Sequence, residues 1–119
     1  MPDRLVVSLG ALNGAIAVAA GAFGAHGLKD RLAPKALEVF ETGARYQMYH
    51  ALAMVLAGIL VARGPGIAFQ IGILLFSGSL YALALTDIKA LGAITPFGGI
   101  AFIAGWIWLT IGAWSKAGG

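Results

Sequence analysis

The sequence contains no cysteine, which excludes disulfides and thiolate metal sites. It is also poor in charge: of 119 residues, 8 are Lys or Arg and 5 are Asp or Glu. A soluble domain coats its surface with about a quarter charged residues, so 11% charged against 60% hydrophobic is not a composition for water. Basic residues never cluster, so nucleic acid is not an expected partner. The net charge of +3 reads instead as cations flanking membrane segments. A phosphate-cradling glycine loop, a cofactor fingerprint and a Ser-His-Asp arrangement are also missing; Ser8, Ser77, Ser79 and Ser115 have no base near them in sequence. Enzymatic chemistry therefore has little to rest on, and no cofactor is expected.

What the chain has in quantity is apolar length and glycine. Mean hydropathy is +0.88, and glycine occurs 18 times without a collagen-like period. That combination suits close helix packing in a bilayer, where interfaces favour small side chains. One membrane domain, residues 1–119, is expected, made of four helices near 5–26, 34–62, 66–86 and 96–114. Leu5 to Ala25 is long enough to span. A cleaved signal peptide is the rival reading of this segment, but its length and its patterned glycines favour retention. Gly10, Gly14, Ala17, Gly21 and Gly24 alternate at four and three residues and share one helix face. Pro34 suits the first turn of the second helix. Leu37, Phe40 and Ala44 then give that helix an amphipathic lead-in before Tyr46 to Ala62 submerges. Arg63-Gly-Pro-Gly66 reads as a turn. Ile88 to Ile94 reads as a boundary or bent connection, and Thr95-Pro96 as a cap and first turn. Gly98, Gly105 and Gly112 recur every seven residues, a second small-residue seam, and the two seams are expected to bring the first and fourth helices together. Trp114 and Lys116 would anchor the last helix at the interface. Four spans put both termini on one side; Lys and Arg counts leave the orientation open.

Within this apolar chain, residues 40–52, F-E-T-G-A-R-Y-Q-M-Y-H-A-L, gather the scarce polar groups. Glu41 and Arg45 are spaced for an i,i+4 ion pair, acid first. Tyr49 continues that stripe, while Tyr46 and His50 face away from it. Glu41, Arg45, Tyr46, Tyr49 and His50, with His26 from the end of the first helix, form the candidate functional cluster. Ionisable groups inside a membrane are costly and commonly functional, yet an interfacial salt bridge within an aromatic belt explains the same residues. His26 suits the last carbonyls of the first helix, and no tight ligand spacing supports a metal. Asn13 lies mid-span and needs a hydrogen-bond partner, with Ser77, Ser79 or Thr110 as expected ones. Gln70, Tyr81, Trp106 and Trp108 read as packing and interface residues.

Four motifs occur in order: G-A-F-G-A-H-G-L at 21–28, the 40–52 stretch, L-F-S-G-S-L-Y at 75–81, and T-P-F-G-G at 95–99 followed by A-G-W at 104–106. Together they resemble the domain-of-unknown-function 423 family of small bacterial membrane proteins, also called uncharacterised family 0382. The resemblance implies a four-helix, multi-pass protein of the cell inner membrane, retained first helix included. It brings no catalytic residues. Three classes of function are expected in descending order. The first is a non-enzymatic structural, assembly or interaction protein, acting in the lipid bilayer as a homo-oligomer or with a membrane-protein partner. The second is a small transporter, channel or proton-coupled carrier using the second-helix cluster. The third is a membrane enzyme or a quinone- or metal-binding protein.

Overall fold

A computed structural model describes residues 1–118, with side chains described through Ser115. The fold is all-α, with four helices: α1 (Arg4–His26), α2 (Pro34–Ile59), α3 (Arg63–Thr86) and α4 (Thr95–Gly118). A short 3-10 segment, Lys89–Ala93, links α3 to α4. By length and composition α1, α3 and the run Lys89–Ser115 can each cross a membrane. α2 is as long, at 26 residues, but carries the polar stretch and misses that threshold.

Local sequence explains the ends. The Asp3 carboxylate accepts from the Val6 N–H and caps α1. Pro34 opens α2 in its first turn, where no N–H is needed. The turn expected at Arg63–Gly66 falls earlier, at Leu60–Ala62, where Val61 adopts a left-handed φ of 57°. Arg63, Gly64 and Pro65 are instead the first turn of α3. Pro65 is tolerated there for the same reason as Pro34. Asp87, also left-handed at φ 58°, ends α3. Inside α3, Ile73–Ser77 widens to a π-helical turn in which the Ile73 carbonyl accepts from Gly78.

Packing runs in sequence order, α1 on α2, α2 on α3, α3 on α4. The two glycine seams do not meet each other, contrary to the expected pairing of the first and fourth helices. A Cβ at Gly10 would lie 2.9 Å from the Ala51 carbonyl oxygen and 2.9 Å from the Val55 nitrogen, so the α1 seam closes on α2. Gly98 and Gly105 lie against Phe76 and Phe69 of α3, while Gly21 and Gly112 face open space and Gly14 makes one loose contact. A seam of small residues is completed by whichever helix is adjacent, and short connections make sequence neighbours adjacent.

The buried side chains form two apolar clusters, one around Val6, Met54, Phe69 and Phe102 and one around Leu28, Phe40 and Ala84. Asn13, Gln47, His50, Ser77 and Ser79 are buried too. Large apolar side chains cover the outside: Leu12 is 56% exposed, Leu74 64%, Phe97 65% and Trp114 81%. An apolar exterior around a partly polar interior is the arrangement a bilayer favours. Lys116, expected to anchor the last helix beside Trp114, lies outside the described side chains.

Candidate functional site

Three amides and a phenol, from three helices, meet in the middle of the bundle. The Leu9 carbonyl cannot donate, so the Asn13 group 2.9 Å from it must be Nδ2. That orientation fixes the others. Asn13 Nδ2 also donates to Gln70 Oε1 at 2.9 Å. Asn13 Oδ1 then accepts from Gln47 Nε2 at 3.0 Å, and Gln47 Oε1 accepts from the Tyr81 hydroxyl at 2.7 Å. The chain Tyr81→Gln47→Asn13→Gln70 links α3 to α2, α2 to α1 and α1 back to α3. The π-turn lies between its two α3 members. Its i→i+5 bonding puts an extra residue into the turn and slows the rotation of side chains about the axis, so Gln70 ahead of it meets α1 while Tyr81 beyond it meets α2.

Asn13 therefore pairs with Gln70 and Gln47, and not with Ser77, Ser79 or Thr110 as expected. Ser79 bonds the Phe76 carbonyl and Thr95, and Thr110 bonds the Trp106 carbonyl of its own helix. Each member of the network is neutral, and each makes at least one hydrogen bond to another member.

His50 occupies a separate setting. Its Nδ1 lies 2.8 Å from the Tyr46 carbonyl and so donates to it. Its Nε2 accepts from the Trp106 indole at 3.1 Å. The ring stacks on Phe102 at 3.5 Å and touches Phe69. Both nitrogens are committed, the tautomer is fixed, and the imidazole is buried at 5% exposure. Tyr46 and Tyr49 stand beside it with rings 5.5 Å apart, both exposed on the outer surface of α2. With Phe76, Phe102 and Trp106 they line an aromatic groove of about 530 Å³ between α2 and α4.

The remaining candidates do not come together. Glu41 is half-buried and Arg45 exposed, and the expected ion pair between them is not formed. Among the described residues, ion pairs form between Arg63 and Asp3, at 2.7 Å, and between Lys89 and Asp87. Helical spacing permits the Glu41–Arg45 pair without enforcing it, and an exposed pair of this kind stabilises too little to hold two long side chains. His26 is exposed and makes no side-chain hydrogen bond. The Phe23 carbonyl near it is taken by the Gly27 and Leu28 N–H groups, so the imidazole does not cap the helix. Among the described residues no three His, Asp or Glu side chains gather as a metal site.

At the opposite end, the Asp3 N–H donates to the Gly58 carbonyl and the Asp3 carboxylate takes two bonds from Arg63. The Arg63 guanidinium beside it holds the Asp3 carboxyl below the usual carboxylate range. The start of α1, the end of α2 and the start of α3 are thereby tied together.

Comparison with known proteins settles the family. The model of a family described as a protein of unknown function (DUF423) matches residues 20–99. The chain belongs to the DUF423 family. Among its relatives, the UPF0382 membrane protein SSP2132 of Staphylococcus saprophyticus is 49% identical over 115 residues, covering 92% of this chain and 96% of the relative. The UPF0382 membrane protein YwdK of Bacillus subtilis is 46% identical over 118 residues, with the same coverage of both chains. No solved structure matches. With relatives named as membrane proteins and three helices fit to span, this DUF423 member is a multi-pass membrane protein.

The residues that sequence reasoning underrated are Gln47, Gln70 and Tyr81. Gln47 stood within the polar stretch but outside the candidate cluster, and the other two read as packing. The available signal was arithmetic: three amides in apolar runs each need a partner, and each is the best partner for another.

Proposed function

We propose that this DUF423 member is a non-enzymatic structural and interaction protein of the membrane, with four spans and both termini on one side. α2 is the fourth span. Its two buried polar side chains, Gln47 and His50, are accepted in hydrocarbon because neighbours on α1, α3 and α4 satisfy them. The single observation that carries the functional reading is the state of those interior groups. Each is neutral and bonded to another protein group, while the ionisable groups stand outside that network: His26 exposed at the end of α1, Glu41 half-buried in the first third of α2 and Arg45 exposed on the outside of α2 near its middle. A carrier of protons or ions needs a titratable or solvated relay through the interior. An interlocked amide network instead fixes which helices meet and at what register.

Flux and stability separate the readings. Protein reconstituted in liposomes should pass protons under a valinomycin clamp no faster than empty liposomes. Gln47→Leu and His50→Phe should lower resistance to unfolding and leave flux unchanged. A proton leak above that of empty liposomes, lost in Glu41→Gln, would establish the carrier reading in its place.

A further inference from the structure

The face of the bundle between α1 and α3 is open. A groove of about 410 Å³ runs there, with Leu12, Ile16 and Leu74 as apolar walls and Gln47, Gln70, Ser77 and Tyr81 in its floor. Two floor groups have hydrogen-bonding capacity left over. Gln70 spends its carbonyl on Asn13, which leaves its NH2 group, two donors, without a partner among the described residues. Ser77 is fully buried and its hydroxyl has no partner among the described residues. A helical serine can bond the carbonyl four residues back; here that carbonyl, of Ile73, takes the Gly78 N–H across the π-turn, and the Ser77 hydroxyl makes no bond to it. The floor is thus uncharged and offers free donors, and π-turns frequently mark functional sites.

Depth narrows the occupant. Gln70 lies between four and five residues from the middle of Arg63–Thr86, roughly 7 Å at 1.5 Å per residue. Asn13 lies two residues from the middle of Arg4–His26, roughly 3 Å on the same rise. The ester groups of glycerolipids lie at the edge of the hydrocarbon core, about 15 Å from its midplane. They do not reach this floor. We infer that the α1–α3 groove binds a neutral, apolar-tailed molecule whose head carries a carbonyl oxygen, of the chemical class of isoprenoid quinones, with the Gln70 NH2 and the Ser77 hydroxyl donating to that oxygen. The tail lies along Leu12, Ile16 and Leu74 and leaves sideways into lipid. The inference rests on α1 and α3 being embedded, and it stands whether or not α2 conducts protons.

The test uses the full chain in phosphatidylcholine nanodiscs with decylubiquinone as probe, binding being followed by native mass spectrometry and by the infrared C=O stretch of the bound quinone. Decylubiquinone should bind saturably with a downshifted carbonyl stretch, and decylbenzene, which has the tail without the carbonyl, should not compete. Gln70→Leu should weaken binding by about tenfold, the loss of one or two hydrogen bonds. Leu74→Trp, an exposed wall position whose change leaves the amide network intact, should block the groove, so an ill-folded Gln70 variant does not decide the matter. Equal competition by decylbenzene, preference for dioleoylglycerol over the quinone, or undiminished binding in folded Leu74→Trp would each overturn the proposal.

Discussion

Replacing Asn13 with leucine tests the network at its centre. Asn13 makes two interhelical bonds, to Gln47 Nε2 at 3.0 Å and to Gln70 Oε1 at 2.9 Å. Interhelical bonds between membrane helices average about 0.6 kcal/mol each, so losing both costs roughly 1.2 kcal/mol. The larger effect falls on Gln47, which is 4% exposed. Its N–H group would be stranded in a buried site, at about 1–3 kcal/mol. Gln70 is half-buried beside the groove and can turn its amide, so it adds little. The leucine recovers part of the loss by apolar contact, leaving an expected destabilisation of about 2 kcal/mol. The assay is reversible unfolding in bicelles by steric trapping, on Asn13→Leu, Gln47→Leu and the double variant. Because the two residues share a bond, the double variant should be less damaged than the sum, by about 1 kcal/mol. A loss below about 0.5 kcal/mol together with additivity would refute the claim that the amides hold each other.

Further outcomes follow from single contacts. Trp106→Phe leaves His50 Nε2 without its donor and should cost about 1 kcal/mol in the same assay, with the Trp106 contribution removed from the emission spectrum. Gly10→Ala puts a methyl 2.9 Å from α2 backbone atoms and should destabilise by about 1–3 kcal/mol as the hairpin is forced apart. Gly21→Ala, with nothing within 4 Å, should be neutral or stabilising by up to about 1 kcal/mol. Unfolding midpoints against pH will show the Asp3–Arg63 tie. The folded carboxyl sits below its ordinary 3.8, so its stabilisation is complete above that value and is lost as pH falls through the lower folded value. Asp3→Asn should remove this acid limb, and an unchanged limb would mean that the pair does not stabilise the fold.

Fold class was legible because composition and run length constrain it from several directions at once. The glycine of α1 that matters most, Gly10, was visible as a small-residue position, but its partner was not, since a seam specifies closeness without naming the other helix. The same limit applies to Glu41 and Arg45. Spacing of four makes an ion pair geometrically available, while solvent and chain entropy decide whether it forms. The π-turn at Ile73–Ser77 left no periodic signature in a segment that is apolar on nearly every face, so the rotation that sends Gln70 to α1 and Tyr81 to α2 could not be read. His50 was readable as polar and as unusual. Its burial against Phe102 and Trp106 required knowing that α4 lies across α2.

If α2 is the fourth span, it crosses the membrane with the other three helices and carries Gln47 and His50 inside. With no native cysteine, single cysteines can be placed at Asp30, Leu60, Ile88 and Ser115 and labelled in intact and permeabilised cells with an impermeant maleimide. Positions 30 and 88 should label from one side and positions 60 and 115 from the other. Labelling of 30 and 60 from the same side would contradict a spanning α2, and would leave α2 lying along the membrane surface.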